Sequence, residues 1–128
     1  AQESGVILNV LLEMNVSAEV SKDGFSADRW QHDTEQRSAL WNAVRTIARL
    51  PGLRVHGLMT IAPIGPKVEA ARPTFSGLRI LHDALAADIP QAEWGTLSMG
   101  MTDDYPVAIE EGATLIRVGR AIFGERAH

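Results

Sequence analysis

Four short apolar segments are spaced along the chain, and each has the length of a β-strand. The first, residues 6–16, reads VILNVLLEMNV and is a nearly continuous hydrophobic run. Such a run is typical of a strand that is buried on both faces of a parallel sheet. The other three segments are residues 53–61, 96–99 and 114–118. The pattern therefore predicts four strands.

Each predicted strand is followed by a segment with helical periodicity. After a polar loop at residues 17–25, a first helix is predicted to begin near Ser26 and Asp28 and to stop at residues 50–52, which read LPG. Its apolar positions are Trp30, Leu40, Trp41, Val44, Ile47 and Ala48. Most of them are three or four residues apart, as on one face of a helix.

The later helices are predicted in the same way. The second has a buried stripe of Phe75, Leu78, Leu81 and Leu85, with Pro73 in its first turn. The third is placed at about residues 103–111 with Gly112 as its stop, and a helical turn at 120–123 follows the last strand.

Four successive β-α units with no hairpin signal between them predict a parallel α/β sheet with right-handed crossovers. We predict a single domain over residues 1–128. An open doubly wound sheet and a (β/α)8 barrel both fit this pattern. In either architecture, ligands bind at the carboxyl ends of the strands.

Composition narrows the classes of function. The chain is 45% hydrophobic and has a net charge of -4, which argues against nucleic-acid binding through phosphate neutralisation. It has no cysteine, so disulfides and thiolate chemistry are excluded. No apolar run approaches the roughly 20 residues of a membrane span, and no secretion signal is recognised at the N-terminus. We expect a cytoplasmic protein without membrane or nucleic-acid partners.

The candidate site residues lie at the predicted strand ends. They are Asn15, Met59, Thr60, Ser98, Arg117, Gly119 and Arg120. Gly119 precedes a helical turn, where free backbone N–H groups bind anions and a glycine lets a phosphate approach closely. A plain strand-to-helix turn is the alternative interpretation of that glycine.

The polar side chains among these candidates have different possible roles. Ser98 would add a hydroxyl donor to an anion site. Arg117 lies between apolar neighbours, so it either meets a ligand or faces outward to an acidic helix. The four histidines have no metal-site spacing, and no pair of carboxylates is placed for acid-base catalysis.

Three segments resemble a known family. The stretch LSMGMTDDYPVAIEEGATLIRVGRAIFGER resembles the C-terminal signature of the pyridoxal-phosphate homeostasis proteins, which are related to the N-terminal barrel of alanine racemase. The upstream stretches MNVSAEVSKDGF and LRVHGLMTIAP resemble the two preceding strand motifs, in the same order. The resemblance extends from about Val10 to Arg126.

This resemblance implies a fold and a ligand. Members are (β/α)8 barrels of the TIM type that bind pyridoxal 5'-phosphate (PLP) without established turnover and buffer or deliver it. By resemblance, Ser98, Gly119 and Arg120 contact the phosphate, and Arg117 approaches the pyridine nitrogen. Asn15, Met59 and Thr60 line the pocket. Position 120 is often threonine in the family, so the arginine here leaves only a backbone contact.

The resemblance covers strands five to eight, the C-terminal half of the barrel. The lysine that holds PLP covalently in the family lies in the first half, and neither Lys22 nor Lys67 occupies its motif. We therefore expect no enzymatic activity and at most non-covalent PLP binding. We also expect the chain to form a homodimer or to need the N-terminal half of the barrel. The alternatives are a fragment of an alanine racemase-like enzyme and a half-barrel that binds no cofactor.

Overall fold

A computed structural model describes residues 7–17, 24–62, 68–101 and 104–117. The strands are β1 (Leu8–Asn15), β2 (Phe25–Ser26), β3 (Leu53–Met59), β4 (Thr96–Met101) and β5 (Leu115–Arg117). The helices are α1 (Thr34–Ala48), α2 (Arg72–Asp88) and α3 (Tyr105–Glu110), and a 3₁₀ turn at Val68–Ala71 leads into α2.

The strands form one parallel sheet in the order β2-β1-β3-β4-β5, which confirms the predicted parallel α/β class. The described sheet has five strands where the sequence predicted four. The additional strand β2 lies at the end of the predicted loop and pairs Phe25 with Met14 and Ser26 with Asn15. Helices α1, α2 and α3 precede β3, β4 and β5, and these three strands follow β1 in order across the sheet, whereas β2 pairs with the other side of β1.

The three helices lie side by side on one face of the sheet. Asp88 at the end of α2 accepts a hydrogen bond from Trp41 Nε1 at 2.8 Å and contacts the Arg37 guanidinium at 3.2 Å, joining α2 to α1. Arg72 at the start of α2 forms ion pairs with Glu110 at 2.6 Å and Glu111 at 2.7 Å, joining it to the end of α3. The opposite side of the sheet is called the front face below.

The hydrophobic core fills the space between the sheet and the helices. Leu12, Leu58 and Leu97 are paired in register across β1, β3 and β4, and all three are buried. The helices cover this row with the buried residues Leu40, Trp41, Val44, Phe75, Leu78, Leu81 and Leu85. These are apolar positions that the helical periodicity predicted.

The prediction that the first strand is buried on both faces is wrong. In β1, Leu12 and Met14 are buried, whereas Leu11 and Glu13 are only half-buried and Leu8 is exposed. One face of β1 packs on the helices, and the other belongs to the front face. A strand of this kind alternates in burial even where its sequence is apolar on both sides.

Helix α1 begins later than predicted because its N-terminal cap is Asp33. The Asp33 carboxylate accepts a hydrogen bond from the backbone N–H of Gln36 at 3.1 Å, which satisfies a donor that the first turn leaves free. Residues near Ser26 and Asp28 therefore precede the helix. Trp30 also lies outside it, but its ring packs against Trp41 with centroids 5.3 Å apart.

The other predicted boundaries agree more closely with the structure. Pro73 lies in the first turn of α2, and α3 ends just before Gly112, which has a φ of +106° suited to a helix stop. Strand β4 extends two residues beyond the prediction, to Met101. The helical turn predicted at residues 120–123 lies outside the described residues.

Candidate functional site

The carboxyl ends of the parallel strands meet at one edge of the sheet, and several predicted site residues lie there. Asn15 is the last residue of β1, Met59 is the last residue of β3, and Thr60 follows it directly. Ser98 lies within β4, three residues before its end. Arg117 is the last residue of β5, and its backbone pairs with Met101. Gly119 and Arg120 lie outside the described residues.

Four residues form a row across the front face. Glu13 pairs with Met59, Met59 with Ser98, and Ser98 with Leu115. Residues paired directly across a parallel sheet project their side chains to the same side. This row is one residue out of phase with the buried leucine row, so it points away from the helices. The structure thus brings the predicted residues Met59 and Ser98 together.

Ser98 has the properties expected of a ligand-binding side chain. It is only 3% exposed, and its backbone carbonyl accepts a hydrogen bond from the Thr60 N–H at 3.1 Å. Within the described ranges, its hydroxyl has no hydrogen-bond partner. A buried hydroxyl without a hydrogen-bond partner costs free energy, and an anion that accepts a hydrogen bond from it would remove that cost.

The Thr60 hydroxyl is hydrogen-bonded within the edge of the sheet. It donates a hydrogen bond to the backbone carbonyl of Met14 at 2.8 Å, and Thr60 is 3% exposed. Together with the bond from the Thr60 N–H to Ser98, this contact ties the ends of β1, β3 and β4 together. In the described structure, Thr60 therefore holds the strand ends in place.

Asn15 organises the beginning of the loop after β1. Its side-chain oxygen lies 3.3 Å from the backbone N–H of Ser17, which donates to it. Its backbone carbonyl accepts a hydrogen bond from the Ala27 N–H at 2.9 Å, just after β2. Asn15 thus anchors both ends of the segment that leaves and rejoins the sheet edge.

Glu13 is a front-face residue that the sequence analysis did not select. It lies two positions before Asn15 in β1 and is half-buried. Its position could have been found from the alternation of β1, because every second residue of a strand lies on the same side. The apolar neighbours on both sides of Glu13 concealed that alternation.

In the part of the chain that the structure describes, no group of three or more His, Asp or Glu side chains is close enough to hold a metal ion. Nor is any described helix both long and apolar enough to cross a membrane.

The strongest shift in pKa among the described residues lies outside this site. Hydrogen bonds from Arg72 to Glu110, Glu111 and Glu69 raise the pKa of the Arg72 guanidinium. The cluster joins the first turn of α2 to the last turn of α3, on the helix side of the sheet. We assign it a structural role.

Curated relatives carry one recurring name. The chain is 40% identical over 119 residues to the pyridoxal phosphate homeostasis protein of Vibrio cholerae, covering 93% of this chain and 45% of the relative. It is 38% identical over 128 residues to the protein of that name from Aquifex aeolicus, covering 100% of this chain and 51% of the relative. The chain thus spans about half the length of these relatives. No protein-family profile matches it.

Solved structures give the same relationship. PipY of Synechococcus elongatus, without PLP, superposes with a TM-score of 0.77 at 30% identity, covering 92% of this chain and 50% of PipY. PipY with PLP bound superposes with a TM-score of 0.72 at 28% identity. The chain is therefore homologous to pyridoxal phosphate homeostasis proteins along nearly all of its own length and along about half of theirs.

Proposed function

We propose that this chain binds PLP without turning it over, as the phosphate-holding half of a PLP homeostasis protein. The observation that carries the proposal is the buried Ser98 hydroxyl, which has no hydrogen-bond partner among the described residues. It faces the side of the sheet away from the helices, near the carboxyl ends of the strands. The relatives' names and the PLP-bound PipY structure support the choice of ligand.

The proposed roles of the residues follow the family resemblance. The Ser98 hydroxyl donates a hydrogen bond to a phosphate oxygen, and the backbone N–H groups of Gly119 and Arg120 complete the anion site. Arg117 approaches the pyridine nitrogen, while Asn15 and Met59 line the pocket. Thr60 contributes by holding the strand ends through Met14. PLP itself supplies a phosphate dianion and an electrophilic aldehyde.

We further propose that the sheet is the C-terminal half of a (β/α)8 barrel. Apart from the two-residue β2, which pairs with the other side of β1, the strands advance in one direction from β1 through β3 and β4 to β5, with the described helices on one side as in a barrel. A doubly wound sheet instead has helices on both faces. The half-length match to PipY supports the same assignment. The remaining β-α units would close the sheet, on the same polypeptide or through a second copy of this chain.

A binding measurement with a matched pair of variants tests the function. PLP should quench tryptophan fluorescence of the 128-residue chain in a saturable manner, and inorganic phosphate should compete. Ser98→Ala should weaken PLP binding about tenfold or more, because it removes a hydrogen bond to a charged group. Ser38→Ala, an exposed position on α1, is the control and should bind as the wild type does. Absence of PLP binding by the wild-type chain would refute the proposal.

Covalent attachment should not accompany binding. Lys22 and Lys67 are the only lysines of the chain, and both lie outside the described residues. Their polar or Gly- and Pro-containing sequence surroundings predict solvated loops. A solvated lysine has a pKa of about 10.4 and is mostly protonated, so it reacts poorly with an aldehyde. Borohydride treatment and peptide mass mapping should therefore show sparse, scattered labelling. Stoichiometric labelling of either lysine at low PLP excess would contradict this expectation.

A further inference from the structure

Glu13 places a negative charge on the front face, in the same row as Ser98. The row passes from Glu13 through Met59 to Ser98, so the two residues are separated by one intervening strand. The Glu13 side chain is half-buried. Within the described ranges, its carboxylate forms no ion pair or hydrogen bond. Covering this face would further desolvate a charge, which then requires a cationic or donor partner.

The backbone of Gly24 fixes the place of the Glu13 side chain. Gly24 has a φ of +99°, and a Cβ atom there would lie 3.0 Å from Glu13 Cγ and 2.7 Å from the Glu13 carbonyl oxygen. Only glycine adopts this backbone conformation readily at so close an approach. Gly24, which directly precedes β2, therefore packs against Glu13 from the sheet edge.

The two residues offer complementary contacts to a small ligand that carries both an anionic and a cationic group. Neighbouring strands lie about 4.8 Å apart, so the backbones of Glu13 and Ser98 are about 10 Å apart across β3. The Ser98 hydroxyl donates a hydrogen bond to an anion, and the Glu13 carboxylate attracts a cation. Both side chains lie on the same face as Met59, so a ligand that lies across β3 on this face meets both of them.

We propose that Glu13 is a binding residue of this site and that it selects phosphorylated ligands that also carry a protonated amine. The preferred chemical class is a phosphorylated aminomethylpyridine, such as pyridoxamine 5'-phosphate, rather than its neutral hydroxymethyl analogue. This inference rests on the proposed function, because it takes the phosphate to lie at Ser98. It assigns the amine form of the cofactor to the same pocket.

The test compares two ligands that differ at one group. Pyridoxamine 5'-phosphate has an aminomethyl group where pyridoxine 5'-phosphate has a hydroxymethyl group, and both carry the phosphate. Isothermal titration of the wild-type chain should show about tenfold tighter binding of the amine, as expected for one charge-assisted hydrogen bond. Glu13→Gln should abolish that preference while leaving binding of the hydroxymethyl ligand within about twofold. Glu35→Gln, an exposed position in the first turn of α1, should keep the preference.

The outcomes separate this inference from the proposed function. Equal affinities of the wild-type chain for the two ligands would overturn the role of Glu13 and leave phosphate binding intact. A preference for the amine that persists in a folded Glu13→Gln variant would also overturn it. If that variant does not fold, the wild-type ratio alone decides. Failure of both ligands to bind the wild type would refute the proposed function and this inference with it.

Discussion

The contact between Thr60 and Met14 shows how a single side chain maintains the site edge. Both residues are buried, and the Thr60 hydroxyl donates to the Met14 carbonyl at 2.8 Å. Thr60→Val keeps the shape but leaves that carbonyl without this donor, so it should destabilise the chain by about 1–2 kcal/mol in urea unfolding. Thr46→Val removes a similar bond, to the Asn42 carbonyl, at an exposed site on α1, where water replaces the donor. Equal effects of the two substitutions would contradict this assignment.

At the residue scale, the sequence could predict which positions come near the strand ends but could not predict what each side chain does there. Asn15, Met59 and Thr60 were selected because they lie at the carboxyl ends of apolar runs, and the structure places them at or beside the ends of β1 and β3. That Thr60 bonds to a backbone carbonyl 46 positions earlier is a tertiary contact without a local signal. Glu13 was missed because apolar residues on both faces of β1, such as Leu11 and Leu12, hid the alternation.

At the element scale, Gly57 controls how closely β3 and β4 approach. Its φ is +148°, and a Cβ atom there would overlap the Thr96 carbonyl oxygen, which is fixed backbone. Gly57→Ala should therefore separate the two strands or distort β3, with a loss of about 3 kcal/mol or more. Gly95→Ala is the control, because nothing lies within 4 Å of a Cβ atom there. A thermal melt that shows similar stability for both variants would contradict the expectation.

The capping residue of α1 should make the free energy of unfolding depend on pH in the acidic range. The Gln36 backbone N–H, followed by Arg29, stabilises the ionised carboxylate and holds the pKa of Asp33 below its usual range. A lowered pKa in the folded state gives stability that is present above the unfolded pKa and is lost as the pH falls through the folded value. Asp33→Asn keeps a capping oxygen without the charge. The urea concentration at the midpoint of unfolding should fall less between about pH 5 and pH 2 for this variant than for the wild type. An equal fall for the two proteins would argue against the assignment.

The element boundaries illustrate where local patterns stop being informative. Helix α2 was predicted well, because a regular stripe and Pro73 mark its first turn. The start of α1 was predicted too early, because several of the residues at 26–38 are capping types and the choice of Asp33 depends on the contacts of Gln36 with Asp28 and Arg29. Strand β2 has only two residues and exists through its pairing with Met14 and Asn15. No period can be recognised in so short a segment.

On the scale of the whole molecule, the described sheet has two edges with incomplete pairing. Strand β1 pairs with β3 along Leu8–Glu13 but has β2 on its other side only at Met14 and Asn15. Strand β5 pairs with β4, and no described strand lies beyond it. Open parallel edges beside a partly apolar face favour association with further strands. The half-length resemblance of the sequence already indicated open sheet edges. The fold shows which exposed residues lie on the front face beside those edges.

Self-association of the 128-residue chain should therefore proceed through the front face. Leu115 belongs to the front-face row and is 48% exposed, and burying such a side chain favours association by about 1–2 kcal/mol. Leu115→Glu introduces a charge that opposes burial, so sedimentation velocity should show a shift from dimer toward monomer. Ile109→Glu is the matched control, because Ile109 is 52% exposed but lies on α3, on the helix side of the sheet. This variant should sediment as the wild type does, and a compact wild-type monomer at all concentrations would contradict the prediction.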